Sequence, residues 1–163
     1  MTDTDAAPRL PPRWFVRAAW VVHLAIHRLT PGRFGLWRPA EKKWGTFRLT
    51  TVGRKSGKKR EAILGYIEDG HNLVTVAMNG WAAPEPAWWL NLQAHPEATV
   101  LLTDGPRAVR GRAATAEERE GLWDRWRAID DKTDAYKSLR PSETALVVLE
   151  PRAVDPPPIK TEL

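Results

Sequence analysis

The stretch TFRLTTVGRKSGKKREAILGYIEDGHNLVTVAM, residues 46–78, decides the fold. Apolar and β-branched side chains alternate with polar ones in three of its segments, as in half-buried strands. Glycine-containing turns, Gly53–Gly57 and Asp69-Gly70, separate these segments. The three segments are Thr46–Val52, Arg60–Glu68 and Leu73–Met78. They predict consecutive antiparallel strands joined by short hairpins.

The strand pattern continues downstream and is interrupted by helical segments. Asp104-Gly105-Pro106 is a hairpin turn between two more strands, and Thr115–Glu118 has the pattern of a capping box that opens a helix ending near Ile129. The other predicted strands are Thr99–Thr103, Arg107–Ala114 and Thr144–Leu149, and the other helices are Ala87–Ala94 and Ala135–Leu139. Six strands with short hairpins and peripheral helices predict a mainly β (α+β) domain, a small antiparallel barrel.

Four regions follow from this pattern. Residues 1–12 read as a flexible arm, residues 46–151 as the barrel domain and residues 152–163 as a tail. Within residues 13–30, the segment Arg13–Leu29 has one broad apolar face and a basic opposite face, which predicts an amphipathic helix. Arg17 interrupts its apolar run, which is shorter than the roughly 20 residues that a membrane span needs. We expect it to lie on an anionic membrane surface or to pack on the barrel mouth as a lid.

The charge distribution predicts an anionic partner. Residues 1–60 carry 14 Lys/Arg against 3 Asp/Glu, whereas residues 61–163 carry 11 against 17. A basic front third favours a phosphorylated ligand, an anionic membrane or nucleic acid, and the absence of a nucleic-acid motif argues against the last. The chain has no cysteine, which excludes disulfides, a thiolate nucleophile and Cys-ligated metals. His23 and His27 are spaced i, i+4, but nothing else indicates a metal site, and we predict none.

The hairpin Thr50–Arg60 is the densest candidate for a binding site. Two glycines can bend its backbone so that N–H groups converge, and five cations and three hydroxyls surround the bend. Such groups bind phosphate or carboxylate. The residues do not have the order of a P-loop, and a solvated turn explains the composition equally well.

A second candidate runs from Met78 to Leu92, where a strand ends in a glycine loop and a helix begins with Trp88 and Trp89. Such a loop lets a planar ligand approach the backbone while the rings and Asn91 contact its edges. The alternative is that both indoles belong to the core. Because the chain has no cysteine and no clear acid–base pair, an enzyme here would take its chemistry from a cofactor.

The two motifs in tandem resemble the deazaflavin-dependent nitroreductase family of actinobacterial flavin/deazaflavin oxidoreductases. The resemblance covers about residues 46–151 and rests on Leu49–Gly57 with Arg60, on Val74–Gly80, and on Pro86–Leu92 with Pro96. It implies a split β-barrel like the FMN-binding oxidases. It also implies coenzyme F-420, an 8-hydroxy-5-deazaflavin with a phospholactyl–polyglutamate tail, rather than FMN.

The resemblance also implies binding residues and a reaction. Carbon 5 of the reduced coenzyme would give a hydride to a small hydrophobic acceptor such as a quinone, an activated enone or a nitroaromatic. Arg54, Lys55, Ser56 and Arg60 would hold the tail. The rest of the implied coenzyme site is Thr51, Ile63, Leu64, Gly65, Val76, Ala77, Met78, Asn79, Trp88 and Asn91.

The chain departs from the family on the acceptor side. Family members carry a tyrosine where Gly65 stands, and a serine and a lysine at Met78 and Asn79. Tyr136 is the remaining tyrosine of the substrate-side helix, and it and solvent are the candidate proton donors. Nitro compounds are therefore expected to be poor acceptors. Two functions remain open: a cytoplasmic reductase, peripheral on the inner face of the plasma membrane if the N-terminal helix binds lipid, or a non-catalytic coenzyme- or lipid-binding barrel.

Overall fold

The computed structural model describes residues 35–153 together with Pro12, Trp14, Ala18, Val21 and Val22. The last four of these isolated residues are helical and exposed. Most of the predicted arm, of the predicted helix Arg13–Leu29 and of the predicted tail lies outside the described residues. Within the part of the chain that is described, no helix is both long enough and apolar enough to cross a bilayer.

Six antiparallel strands close into a barrel in the order β1-β2-β3-β6-β5-β4. The strands are β1 (Gly45–Val52), β2 (Lys59–Asp69), β3 (Asn72–Val76), β4 (Glu97–Leu102), β5 (Gly105–Ala113) and β6 (Leu146–Pro151). The predicted six-stranded barrel is confirmed, and the observed strand ends differ from the predicted ones by up to two residues. Gly57, Gly70 and Gly105 have positive φ angles of 66°, 59° and 129° at the hairpin turns, where a side chain would be strained.

The strand alternation divides the apolar residues into two clusters. The interior cluster fills the barrel and includes Phe47, Leu49, Val100 and Leu149, each fully buried. The exterior cluster lies on the other face of β3 and β6. Successive side chains point to opposite faces of a strand, so that neighbouring residues such as Val148 and Leu149 belong to different clusters.

Within residues 35–153, three helices cover the barrel: α1 (Ala87–Ala94), α2 (Ala116–Ile129) and α3 (Thr133–Ser138). Helix α2 places Leu122, Trp123 and Trp126 in the exterior cluster. Its predicted capping box is present, since Thr115 Oγ1 accepts from the Glu118 amide at 3.3 Å and the Glu118 carboxylate accepts from the Thr115 amide at 2.8 Å.

The Glu118 carboxylate also anchors α2 to the barrel. Both of its oxygens accept hydrogen bonds from Arg112 of β5, at 2.7 and 2.8 Å. The Arg112 guanidinium lowers the pKa of Glu118 to about 2, and its bonds to Glu118 and Glu150 raise the pKa of Arg112. The ion pair joins the start of α2 to the strand that precedes it.

Candidate functional site

The hairpin between β1 and β2 has a fixed backbone. The Gly53 amide donates to the Lys58 carbonyl at 2.8 Å, and the Gly57 amide donates to the Gly53 carbonyl at 2.7 Å. The Lys58 amide donates to Ser56 Oγ at 3.3 Å. A Cβ at Gly53 would lie 2.9 Å from Ser56 Oγ and 3.1 Å from the Lys58 carbonyl oxygen, so a side chain there would displace the Ser56 hydroxyl and crowd the turn. The hydrogen bonds of the turn involve neither the Arg54 nor the Lys55 side chain, and both side chains line the pocket described below.

Fewer backbone N–H groups of this hairpin are available to a ligand than the glycine pattern indicates. The amides of Gly53, Gly57 and Lys58 are bonded within the hairpin, and the Arg54 amide donates to Asn91. In the described part of the chain, the amides of Lys55 and Ser56 have no acceptor. Any anion bound by this hairpin would therefore contact mainly side chains and at most these two amides.

Asn91 connects this hairpin to helix α1. Its side chain is almost fully buried, at 3% exposure. Its Oδ1 accepts from the backbone N and from Nη1 of Arg54, at 3.1 and 3.2 Å, and its Nδ2 donates to Thr51 Oγ1 at 3.2 Å. Asn91 therefore fixes the position of the hairpin relative to the helix, a role that its place in the sequence motif did not reveal.

Helix α1 contributes one indole to the site and one to the core. It begins after Pro86, and its first turn carries Trp88 and Trp89, whose ring centroids lie 6.4 Å apart at 57°. Both rings pack in the interior cluster, but Trp88 also lines a pocket, whereas Trp89 does not. Both indoles are therefore core residues, and Trp88 in addition presents part of its surface to the pocket.

A pocket of about 660 Å³ opens between the hairpin, helix α1 and the loop after β3. Most residues implied by the resemblance line it: Thr51, Arg54, Lys55, Ser56, Arg60, Leu64, Met78, Asn79, Trp88 and Asn91. Four further lining residues belong to the two candidate motifs but were not assigned to the coenzyme site: Gly53, Gly80, Pro86 and Ala87. The sequence patterns did not indicate the other three, Val21, Glu61 and Ala62. Strand alternation could have indicated Ala62, which shares a strand face with Leu64.

The remaining implied residues, Ile63, Gly65, Val76 and Ala77, do not line the pocket. Ile63 and Gly65 alternate along β2 with Ala62 and Leu64 and so face away from the apolar wall that those two residues form. A Cβ on Gly65 would lie 3.2 Å from the Trp44 ring, which occupies that side of the sheet. Val76 packs in the exterior cluster, and Ala77 is fully buried inside the barrel.

Tyr136 also lies away from the pocket lining. Its ring stacks on Trp81, with centroids 6.1 Å apart and planes 12° apart. Trp81 packs against the exterior cluster, as do Trp44 and Met78. Met78 is the residue of this group that also lines the pocket.

The pocket combines a cationic end with an apolar wall. Arg54, Lys55 and Arg60 lie at the hairpin end. Leu64, Ala62, Met78 and Trp88 provide the apolar surface. A ligand that suits both would have a flat apolar ring system and an anionic extension. The deazaflavin and the phosphate- and glutamate-bearing tail of coenzyme F-420 fit this arrangement.

The fold and this pocket define a split β-barrel protein with a site for an anionic, ring-bearing cofactor. A sequence model of the F420H(2)-dependent quinone reductase family matches residues 24–151. The chain belongs to that family, which is named for the reduced form of coenzyme F-420. It is an oxidoreductase, and coenzyme F-420 is its cofactor. Family membership thus makes the chain a reductase rather than a non-catalytic coenzyme- or lipid-binding barrel.

Individual relatives are consistent with this assignment. A Mycobacterium tuberculosis protein named as an F420H(2)-dependent quinone reductase is 33% identical over 107 residues, which are 66% of this chain and 90% of that protein. The solved structure of an F420-H2 dependent reductase superposes with a TM-score of 0.58 at 27% identity, covering 64% of this chain and 93% of the other. Another, described as a domain-swapped dimer, has a TM-score of 0.62 at 26% identity, covering 86% and 100%.

Proposed function

We propose that the protein transfers a hydride from reduced coenzyme F-420, bound in this pocket, to a quinone or another electron-poor acceptor such as an enone. The observation that carries the proposal is that a cationic hairpin and an apolar wall line the same pocket. Asn91 bonds the hairpin to helix α1, which carries Trp88 of that wall. The matching family and the Mycobacterium tuberculosis relative both carry quinone reductase in their names.

The hairpin would bind the anionic tail. The guanidinium groups of Arg54 and Arg60 can each donate two parallel hydrogen bonds to a phosphate or carboxylate, and Lys55 adds a point charge. Arg54 is already oriented by its bond to Asn91. This orientation lowers the entropy cost of ligand binding. The Ser56 hydroxyl can donate one further hydrogen bond to the tail.

The apolar wall would bind the ring and exclude water from it. Leu64, Met78 and Trp88 offer flat or flexible apolar surfaces. The coenzyme supplies the hydride, and one proton must be added to the acceptor to complete a quinone's reduction to the hydroquinone. Tyr136 stacks on Trp81 outside the pocket lining, which favours solvent as the source of that proton.

The test is anaerobic oxidation of reduced coenzyme F-420 with menadione, followed by the return of the oxidised deazaflavin absorbance. We expect enzyme-dependent turnover of menadione that clearly exceeds turnover of a nitroimidazole, since Met78, which lines the pocket, offers no hydroxyl to a nitro group. The variant Lys55→Ala/Arg60→Ala should bind the coenzyme at least about tenfold more weakly, about 1.4 kcal/mol.

The matched control is Arg110→Ala/Lys132→Ala, which removes the same charge from residues that do not line the pocket. It should bind the coenzyme as the wild type does. Equal affinity of the pocket variant and the control would refute the assignment of the hairpin. Nitroimidazole turnover as fast as menadione turnover would refute the acceptor assignment.

A further inference from the structure

Arg140 is a buried cation on the far side of one pocket wall. It follows helix α3, and its side chain has no exposed surface. Its guanidinium donates four hydrogen bonds. Nη1 donates to the Ala77 carbonyl and to Thr144 Oγ1, both at 2.9 Å, Nε donates to the Ala82 carbonyl at 3.1 Å, and Nη2 donates to Glu85 Oε1 at 2.9 Å.

Three of these acceptors belong to residues 77–86, which form one wall of the pocket. Ala77 stands at the start of this segment, Ala82 at its middle and Glu85 near its end. The wall residues themselves lie between or beside these points: Met78, Asn79, Gly80 and Pro86. A single planar group therefore sets the path of the whole segment.

The segment needs such support because its own hydrogen bonds are few and its backbone is strained. The Ala82 amide donates to the Asn79 carbonyl at 3.0 Å, closing a tight turn. Gly80 and Trp81 within that turn both have positive φ, 56° and 59°. A left-handed tryptophan is uncommon and persists only where surrounding contacts fix it.

The chemistry of arginine suits this role. The guanidinium has five N–H donors in a rigid plane, whereas a lysine ammonium is a single point on a flexible stem. The three acceptors in the segment lie around the guanidinium, and a lysine at this position could bond only part of them. Glu85 balances the buried positive charge, and Glu85 Oε2 has no hydrogen-bond partner among the described residues.

We propose that Arg140 is a positioning residue for the coenzyme pocket, holding residues 77–86 in the shape that presents Met78, Asn79 and Pro86 to the ligand. The inference rests on the proposed function of this pocket. It adds to that function a residue that does not line the pocket and that no sequence motif indicated. Arg140 acts through the carbonyl groups of Ala77 and Ala82 and through Glu85.

The test uses the full chain with Arg140→Lys, which keeps the positive charge but removes the planar guanidinium and its divergent N–H donors. We expect the KM for reduced coenzyme F-420 to rise about tenfold while kcat at saturating coenzyme stays within about threefold. In hydrogen exchange, peptides covering residues 77–86 should lose protection, while peptides covering the hairpin 53–58 and strand β6 keep theirs. The control is Arg119→Lys, whose arginine pairs with Glu143 at the surface and which should change neither measurement.

A second variant, Glu85→Ala, keeps the test valid if Arg140→Lys does not fold. It removes one acceptor from a partly exposed position and should raise the same KM about threefold, with faster exchange confined to residues 77–86. If the folded variants have the same KM for the coenzyme and the same hydrogen exchange in residues 77–86 as the wild type, the inference is overturned. If the wild type itself does not bind the coenzyme, the proposed function fails, and the exchange data still decide whether Arg140 holds the segment.

Discussion

Asn91 Oδ1 accepts hydrogen bonds from both the backbone amide and the guanidinium of Arg54, at 3.1 and 3.2 Å. The two residues are 37 positions apart, one in a helix and the other in a hairpin. The bond from the Arg54 backbone amide fixes the position of the turn, and the bond from Arg54 Nη1 orients the arginine side chain. The buried side-chain amide of Asn91 thus sets the position of both the Arg54 guanidinium and the hairpin that carries it.

We expect Asn91→Ala to weaken coenzyme binding about tenfold and to lower the free energy of unfolding by about 1–3 kcal/mol. The reason is that the buried hydroxyl of Thr51 and the amide and guanidinium of Arg54 lose their hydrogen bonds to Asn91. Titration of the protein with coenzyme F-420 by tryptophan quenching, together with urea unfolding, measures both quantities. Gln93→Ala, an exposed position on the same helix, should change neither. Unaltered coenzyme affinity in folded Asn91→Ala would show that the bond is structural alone.

Binding of coenzyme F-420 should weaken as salt is raised, and FMN should bind much more weakly than the coenzyme. Three cations at the hairpin end attract a long polyanionic tail, and salt screens that attraction at exposed sites. The measurement is the Kd of each ligand at low and high ionic strength. A salt-independent Kd, or equal affinity for FMN, would mean that the ring rather than the tail dominates binding.

The Arg112–Glu118 pair should make stability depend on acid pH. The pKa of Glu118 falls from 4.5 to about 2 on folding, so its contribution is complete above pH 4.5 and is lost as the pH falls toward 2. Because about a third of each side chain is exposed, we expect Glu118→Gln to cost only about 1 kcal/mol near neutral pH. Urea unfolding of both proteins from pH 7 downward should show this difference vanish in acid. A difference that persists near pH 2 would exclude the carboxylate as its source.

The N-terminal segment should bind anionic vesicles. Of the few described residues in this segment, Trp14 and Val22 are 70% and 56% exposed, and Val21 lines the pocket. Exposed apolar residues next to basic ones are typical of interfacial helices. In co-sedimentation with anionic liposomes, Trp14→Ser/Val22→Ser should pellet less than the wild type, and Leu139→Ser, which alters an exposed apolar residue of the barrel domain, should pellet equally. If the wild-type protein stays in the supernatant, membrane binding is excluded and packing on the barrel mouth as a lid remains the expected role of this segment.

The positions of the elements could be predicted from local sequence because local physics determines them. The alternation in Thr46–Val52, the Asp69-Gly70 turn and the capping box at Thr115 each depend on residues within a few positions. Helix α1 has the predicted bounds, Ala87–Ala94. The cationic hairpin was evident for the same reason, since its charges and glycines are contiguous.

The tertiary structure decided which residues of each motif reach the pocket. In β2, Leu64 faces the pocket while Ile63 and Gly65 face away, and the Trp44 ring fills the space beside Gly65. No local motif marks Arg140, because three of its four acceptors, on Ala77, Ala82 and Glu85, lie 55 to 63 positions earlier in the chain. Sequence patterns encode contacts between near neighbours, whereas closing the barrel brings distant backbone groups into the reach of one side chain, and only the folded chain specifies which ones.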